Sequence, residues 1–298
     1  MVKISVVINT LNEGKNLSTA LKSVNKLADE IIVVDMHSDD DTLEVAKKSG
    51  AKVYLHKKMG YVEPARNYAI EKATSKWVFI LDADETIPKT LIRKLRDIAE
   101  NVEYDYVAIP RRNLVFGKWL KHSRWWPDYN VRFFKKDKVK WGDEIHSIPK
   151  TQGKGLDLEA KKEYAITHNN YVSISQFIKR MDRYTSIQSK ELVEGGYKFK
   201  WEDLIKKPIG EFVSRFFRGF GYKDGVHGLA LSLMQAFSEG LVYMKVWEDE
   251  GFKKDTINAC KVEKQMRDAQ KEVNYWISDM MLREKGGIIY KIRRKLKI

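Results

Sequence analysis

The chain has 298 residues, 43 % of them hydrophobic, with six prolines, 18 glycines and no low-complexity run. That composition suits one large domain, or a domain with a substantial appendage, and argues against long disordered linkers. A single cysteine, Cys260, excludes an intrachain disulfide, and the absence of an uninterrupted apolar run of about 18 residues argues against a membrane-spanning helix.

The formal net charge is +14, and it is unevenly placed. Residues 1–100 hold 16 Lys+Arg against 15 Asp+Glu, whereas the remainder holds 39 against 26. An anionic partner is therefore expected at the second part of the chain. Those cations are interleaved with acids and no RNA- or DNA-binding module is recognisable, so nucleic acid is not expected.

The first predicted element is a buried strand, Ile4 to Ile8, with no signal peptide expected ahead of it. Leu17, Ala20, Leu21 and Val24 follow at helical spacing. Glu30 to Asp35 reads as a second strand, Thr42 to Ser49 as a short helix stopped by Gly50, and Ala51 to Leu55 as a third strand. Glu63 to Thr74 reads as a helix with Ala65, Ala69, Ile70 and Ala73 on one side. The fourth strand is Trp77 to Asp82, Pro88 opens a helix striped by Leu91, Leu95 and Ile98, and Asp105 to Pro110 is a fifth strand. Repeated strand–helix–strand units predict an α/β fold: a mostly parallel central sheet with helices on both faces.

Polar residues gather where the strands end: Asn9 to Glu13, Asp35 with Ser38 to Thr42, and Asp82 with Asp84. A parallel sheet places these ends on one edge, where ligands of open α/β sheets collect. Two neighbouring carboxylates are costly to hold without a cation, so Asp82 and Asp84 point to a divalent metal carried by a phosphate. No G-x-G-x-x-G follows the first strand and no G-x-x-x-x-G-K-[ST] occurs, which excludes the usual dinucleotide and P-loop cradles.

These motifs together resemble the nucleotide-sugar-binding half of family 2 glycosyltransferases, which have the type-A glycosyltransferase fold, Rossmann-like in its sheet. Val6-Val7-Ile8-Asn9-Thr10-Leu11-Asn12-Glu13 resembles the family's V-V-I-P-T-Y-N-E, with Asn9 in place of proline. Val33-Val34-Asp35 with Ser38, Asp40 and Thr42 resembles V-V-D-x-x-S-x-D-x-T, with Asp41 where glycine is common. Ala65-Arg66-Asn67 resembles A-R-N, and Asp82-Ala83-Asp84 the D-x-D. The resemblance implies that Thr10, Asn12, Glu13, Asp35 and Ser38 line the nucleoside pocket. It implies further that Arg66 approaches the diphosphate or sugar, that Asp82 contacts the ribose, and that Asp84 ligates Mg2+ or Mn2+. The nucleotide it implies is UDP.

Trp125-Trp126-Pro127-Asp128 through Arg132-Phe133-Phe134 is aromatic and polar together. It resembles a stretch in the branch of lipopolysaccharide-core and cell-surface polysaccharide glucosyltransferases, making Trp125, Trp126, Asp128 and Arg132 acceptor candidates. An inverting transfer needs a carboxylate to take the acceptor proton. Asp143 and Glu144 are the candidates, and the sequence leaves both open. His146, followed by Ser147 where the branch has Glu, and His168 are candidates to approach the metal or diphosphate. His168-Asn169-Asn170-Tyr171 resembles the branch's H-x-x-Y. Two other readings compete: a D-x-D-x-T phosphatase with Asp82 as nucleophile, and a non-catalytic nucleotide-sugar sensor or partner subunit.

The expected division is a catalytic domain at 1–170 and a helical, basic region at 171–298. Within the latter, Ser173 and Gln176 form a capping box. Pro208 opens a helix whose Ile209, Phe212, Val213, Phe216, Phe217 and Phe220 form a stripe, suited either to a membrane interface or to a core. From Lys285 to Ile298 six basic residues and no acid are interleaved with Ile288, Ile289, Ile292 and Leu296. The combined expectation is a cytoplasmic enzyme, peripheral at the inner face of the membrane, with a lipid-linked or surface-glycan acceptor.

Overall fold

The computed structural model describes residues 2–58, 63–101, 103–142 and 149–298. In chain order the elements are β1 (Ile4–Thr10), α1 (Gly14–Val24), β2 (Glu30–Asp35), α2 (Thr42–Lys48), β3 (Lys52–Leu55), α3 (Glu63–Lys72), β4 (Trp77–Ile80), β5 (Glu85–Thr86) and α4 (Lys89–Asn101). There follow β6 (Tyr106–Val115), β7 (Lys118–Trp119), β8 (Asp128–Lys135), β9 (Val139–Lys140), β10 (Lys150–Thr151), β11 (Gly155–Asp157) and β12 (Ile166–Tyr171). The helices α5 (Ile174–Glu194), α6 (Asp203–Val213), α7 (Val226–Asp249), α8 (Ala259–Lys285) and α9 (Ile288–Leu296) come last. Two compact units result, one of residues 1–114 and 126–170, the other of 115–125 and 171–298.

The first unit is built on a sheet of order β3-β2-β1-β4-β8-β6-β12-β5. Its first four strands are parallel, with Thr10 opposite Asp35 and Val7 opposite Ile80. Beyond β4 the expected parallel run stops: β8 is antiparallel to β4 and to β6, and β12 is antiparallel to β5. The predicted fifth strand is thus longer than expected, and Pro110 lies inside it rather than ending it.

Alternation along β1 divides the core. Ile4, Val6 and Ile8 pack with Leu17 and Leu21 of α1, Ala46 of α2 and Leu91 and Leu95 of α4. Val7, with Ile32, Val34, Val78 and Ile80 from neighbouring strands, packs with Ala69 and Ile70 of α3 and Ala73 just beyond it on the opposite face. Trp77 and Phe133 stack across the β4–β8 pair with ring centroids 4.4 Å apart.

In the second unit, Ser173 caps α5 by accepting from Gln176 N–H, and the Gln176 side chain accepts from Val172 N–H. α6 begins at Asp203, five residues before Pro208, and Pro208 lies within it. Gly240 of α7 lets that proline approach: a Cβ there would stand 2.9 Å from Pro208 Cγ. The phenylalanine stripe turns inward. Val213 and Phe217 are buried, and the rings of Phe212, Phe216 and Phe217 pack on one another. Ile209, Phe212, Phe216 and Phe220 are half-buried, so the stripe is buried only in part. Among the described residues no helix is long and apolar enough to cross a membrane.

One carboxylate staples the non-ligand end of the first sheet. Glu30 accepts from Ser5 Oγ (2.6 Å), Lys52 Nζ (2.7 Å), and the backbone N–H and hydroxyl of Thr74 (both 2.9 Å). Burial alone would raise its pKa, but the Lys52, Ser5 and Thr74 donors outweigh it and hold the group at about 2. A depressed carboxylate contributes stability that is present above its ordinary value of 4.5 and is lost as pH falls toward 2. Urea titrations should show Glu30→Gln less stable than wild type by about 1–3 kcal/mol at pH 7. The gap should close between about pH 4.5 and 2; a gap independent of pH rejects the account.

Candidate active site

The parallel strands bring their carboxyl ends to one edge, and two adjoining clusters form there. The first lies at the ends of β1 and β2. Asp35, fully buried, accepts from Thr10 Oγ1 (2.9 Å), Ser38 Oγ (2.6 Å) and Ser38 N–H (2.8 Å). Asn12 donates its backbone N–H to Ser38 Oγ (2.8 Å), and its side-chain carbonyl accepts from Asp39 N–H (2.9 Å). Glu13 N–H donates to Thr42 Oγ1 (2.8 Å) and Gly14 N–H to Asp40 Oδ2 (3.1 Å), so the loop after β2 supplies acceptors to the first turn of α1. That approach requires glycine: a Cβ at Gly14 would lie 1.6 Å from Asp41 Oδ1. Thr10, Asn12, Glu13, Asp35 and Ser38 are therefore brought together.

The second cluster surrounds the D-x-D. Asp82 is gripped by two guanidiniums, Arg66 Nη2 at 3.0 Å from one oxygen and Arg132 Nη2 at 2.6 Å from the other. Arg132 Nη2 also meets the fully buried Glu85 at 3.0 Å, and Glu85 accepts the Asp82 N–H at 3.0 Å. Arg111 continues the chain of charge, 3.4 Å from Glu85 and 2.8 Å from Asp128. Burial would raise the Asp82 pKa, but Arg132 and Arg66, with Arg111 behind them, hold it well below the usual carboxylate range. Burial likewise opposes the charge on Arg132, yet Asp82 and Glu85 raise its pKa, so it stays cationic. Asp128 is lowered despite burial by Arg111, Asn113 and Asn130. Arg132 Nε and Nη1 and Arg66 Nε are buried without a hydrogen-bond partner among the described residues.

Asp84, the other acid of the motif, lies beside a histidine. The β12–β5 pairing sets His168 opposite Glu85 and carries His168 Nε2 to 3.4 Å from Asp84 Oδ2. His168 Nδ1 is 2.7 Å from Asn113 Oδ1, and Asn113 Nδ2 donates to Asp128 (2.9 Å). With Nδ1 directed to Asn113, Nε2 is the ring nitrogen that faces Asp84. A carboxylate oxygen and an imidazole nitrogen, oriented from behind by an amide, suit a divalent transition metal. Among the described residues no group of three or more His, Cys, Asp or Glu stands ready to hold a metal. Ligands beyond this pair would have to come from elsewhere.

The A-R-N motif joins the clusters. Ala65 O accepts from Asn9 Nδ2 (3.1 Å), Arg66 binds Asp82, and Asn67 exchanges two hydrogen bonds with the Trp141 backbone at 2.9 and 3.0 Å. Asn9, at the position where the motif has proline, thus ties β1 to α3. Asp143, Glu144 and His146 lie outside the described residues. Of the acceptor candidates, Trp125 packs in the second unit against the cluster of Val115, Leu120 and Phe177. Trp126 and Asp128 belong to the first unit, and Arg132 is buried in the ion-pair cluster. Sequence reasoning missed Glu85, Arg111 and Asn113. A signal was present: Glu85 adjoins the D-x-D, and Arg111 and Asn113 are two apart on one strand, hence on one face.

The family model described as glycosyl transferase family 2 matches residues 5–152. An uncharacterized glycosyltransferase of Rickettsia typhi is 31 % identical over 258 residues, covering 83 % of this chain and 88 % of the relative. One of Rickettsia conorii is 30 % identical over 264 residues, covering 86 % and 93 %. Among solved structures, S. aureus TarS 1–349 in complex with UDP is 17 % identical over 86 % of this chain and 95 % of that one, with a TM-score of 0.45. That superposition is too loose to carry a residue's role across.

The ion-pair cluster makes a quantitative prediction. Arg132→Met leaves Asp82 and Glu85 without their shared cation and should cost about 3–5 kcal/mol in urea unfolding. Glu85→Gln in the same chain should recover part of that loss, a coupling of about 1 kcal/mol or more. Strict additivity of the two changes would show that the groups do not act as a unit.

Proposed function

The chain belongs to glycosyltransferase family 2 and is a transferase with the type-A fold; on that premise we propose that it moves a hexose from UDP-hexose to a lipid-linked or cell-surface glycan acceptor, with inversion and with Mg2+ or Mn2+. The observation that carries the reading is the pairing of Asp84 with His168 at the sheet edge that also carries the hydrogen-bonded cluster of Thr10, Asp35 and Ser38.

In this reading the pocket at the ends of β1 and β2 receives the nucleoside, and Asp35 presents a fixed carboxylate to base N–H groups. Asp82, held ionised by Arg66 and Arg132, accepts from the ribose hydroxyls. Asp84 and His168 would hold a divalent cation, whose positive charge would offset that developing on the departing diphosphate. Arg66 adds a fixed positive charge on the same side. Asp143 or Glu144 takes the proton of the acceptor hydroxyl as its oxygen attacks the anomeric carbon and the bond to the diphosphate breaks. Trp126 offers an aromatic face to the acceptor sugar. The enzyme works at the inner face of the cytoplasmic membrane. A D-x-D-x-T phosphatase would need Asp82 as a free nucleophile, and both its oxygens are engaged by arginines.

Calorimetric titration with UDP tests the donor site. Wild type should bind UDP at least about tenfold more tightly with Mn2+ than with chelator. Asp84→Ala should abolish that difference and His168→Ala reduce it, with circular dichroism unchanged. UDP affinity indifferent to metal, or to Asp84→Ala, removes the metal assignment.

A further inference from the structure

The basic tail whose sequence interleaves isoleucines with cations folds as α9, and it presents a cluster of exposed aliphatic side chains beside cations. Ile288 is 70 %, Ile289 55 %, Ile292 50 % and Leu296 59 % exposed. At about 100° per residue these four fall within an arc of about 100°. Lys291 and Lys295 border that arc on one side and Arg293 on the other, all exposed.

The packing of α9 shows which face is which. Tyr290 and Arg294, opposite the apolar arc, are its half-buried residues. Arg294 Nη1 pairs with Asp279 Oδ1 of α8 at 2.7 Å, and Asn274 and Ser278 of α8 donate to the backbone carbonyls of Lys297 and Ile298. A helix that belonged to a core would turn its isoleucines toward α8. This one docks by a tyrosine and a salt bridge and turns its isoleucines outward.

We propose that α9 is a membrane-surface wedge that seats Ile288, Ile289, Ile292 and Leu296 among acyl chains while Lys291, Arg293 and Lys295 meet anionic headgroups. The proposal rests on the reading that the acceptor lies at a membrane and names the element that brings the enzyme there. Charge complementarity selects the occupant. A second copy would set one cationic rim against another, and a nucleic acid would leave four aliphatic side chains in water. Nine residues bury little area, so insertion and headgroup attraction must act together, giving reversible and salt-sensitive attachment.

The test is co-sedimentation of the full chain with phosphatidylcholine vesicles, with and without about one third phosphatidylglycerol. Wild type should pellet with the anionic vesicles and be released at about 1 M salt. Ile292→Asp should weaken binding at least about tenfold, and K291Q/R293Q/K295Q should remove most of the dependence on lipid charge. Both variants should titrate with UDP as wild type does, which separates a failed wedge from a failed donor site. Wild type that ignores anionic vesicles, Ile292→Asp that binds them equally well, or self-association of the free protein abolished by Ile292→Asp would each overturn the proposal.

Discussion

The buried contact among Asp82, Glu85 and Arg132 is the constraint on which the donor site depends. Each partner would be costly to bury alone. Together they satisfy one another, and Glu85 also accepts the Asp82 N–H, so the turn carrying the D-x-D is set by its own third acid. The arrangement divides labour within the motif. Asp82 spends both oxygens on guanidiniums, whereas Asp84 projects to the other side of the turn, toward His168. Two acids one residue apart are thereby given different electrostatic surroundings.

The change of strand direction makes this possible. The parallel strands deliver the ends of β1, β2 and β4 to one edge, and they bring few cations with them. β8, which runs opposite to β4, brings Asp128 and Arg132; β6, antiparallel to β8 and so running in the sense of β4, brings Arg111 and Asn113; and β12 brings His168 opposite Glu85. The cation shared by Asp82 and Glu85 thus comes from the strand that reverses the sense of the parallel run. In a wholly parallel sheet Arg132 would point away from Asp82 or lie at the far edge.

What was legible in the sequence follows from range. Continuous apolar runs and helical spacing revealed β1 to β4 and the helices between them, because each is decided within a dozen residues. The A-R-N motif was legible as a pattern, though not its work: Asn9 to Ala65, Arg66 to Asp82, Asn67 to Trp141. The antiparallel pairing was hidden because β8 reads as an aromatic, polar stretch, and its alternation is interrupted where the β6 register shifts between Val107 and Ala108. Glu85 was missed because a third acid beside a D-x-D looks solvated until Arg132 arrives from 47 residues away. The phenylalanine stripe had the period of an interfacial helix and of a core helix alike. In the structure Pro208 packs against Gly240 and Val213 and Phe217 are buried, while the other members of the stripe are half-buried.

The two kinds of positive charge in this chain have different physical fates. Arg66, Arg111 and Arg132 are enclosed with Asp82, Asp84, Glu85 and Asp128, and they project little net charge beyond their own cluster. Their effect is local: they fix protonation states and geometry where a diphosphate and its cation would come to rest. Among the described residues the cations of α9 have no such partners apart from Arg294, which pairs with Asp279 of α8. They remain exposed, set the field felt from outside, and are screened by salt over about 8–10 Å. The +14 of the whole chain is therefore a poor guide to its donor chemistry. Nearly all of that excess lies beyond residue 100, and the arginines that matter at the D-x-D are offset within the site. A reading from net charge alone would have sent both sets to the same anionic partner; burial and pairing set one to organising carboxylates and leave the other exposed to solvent.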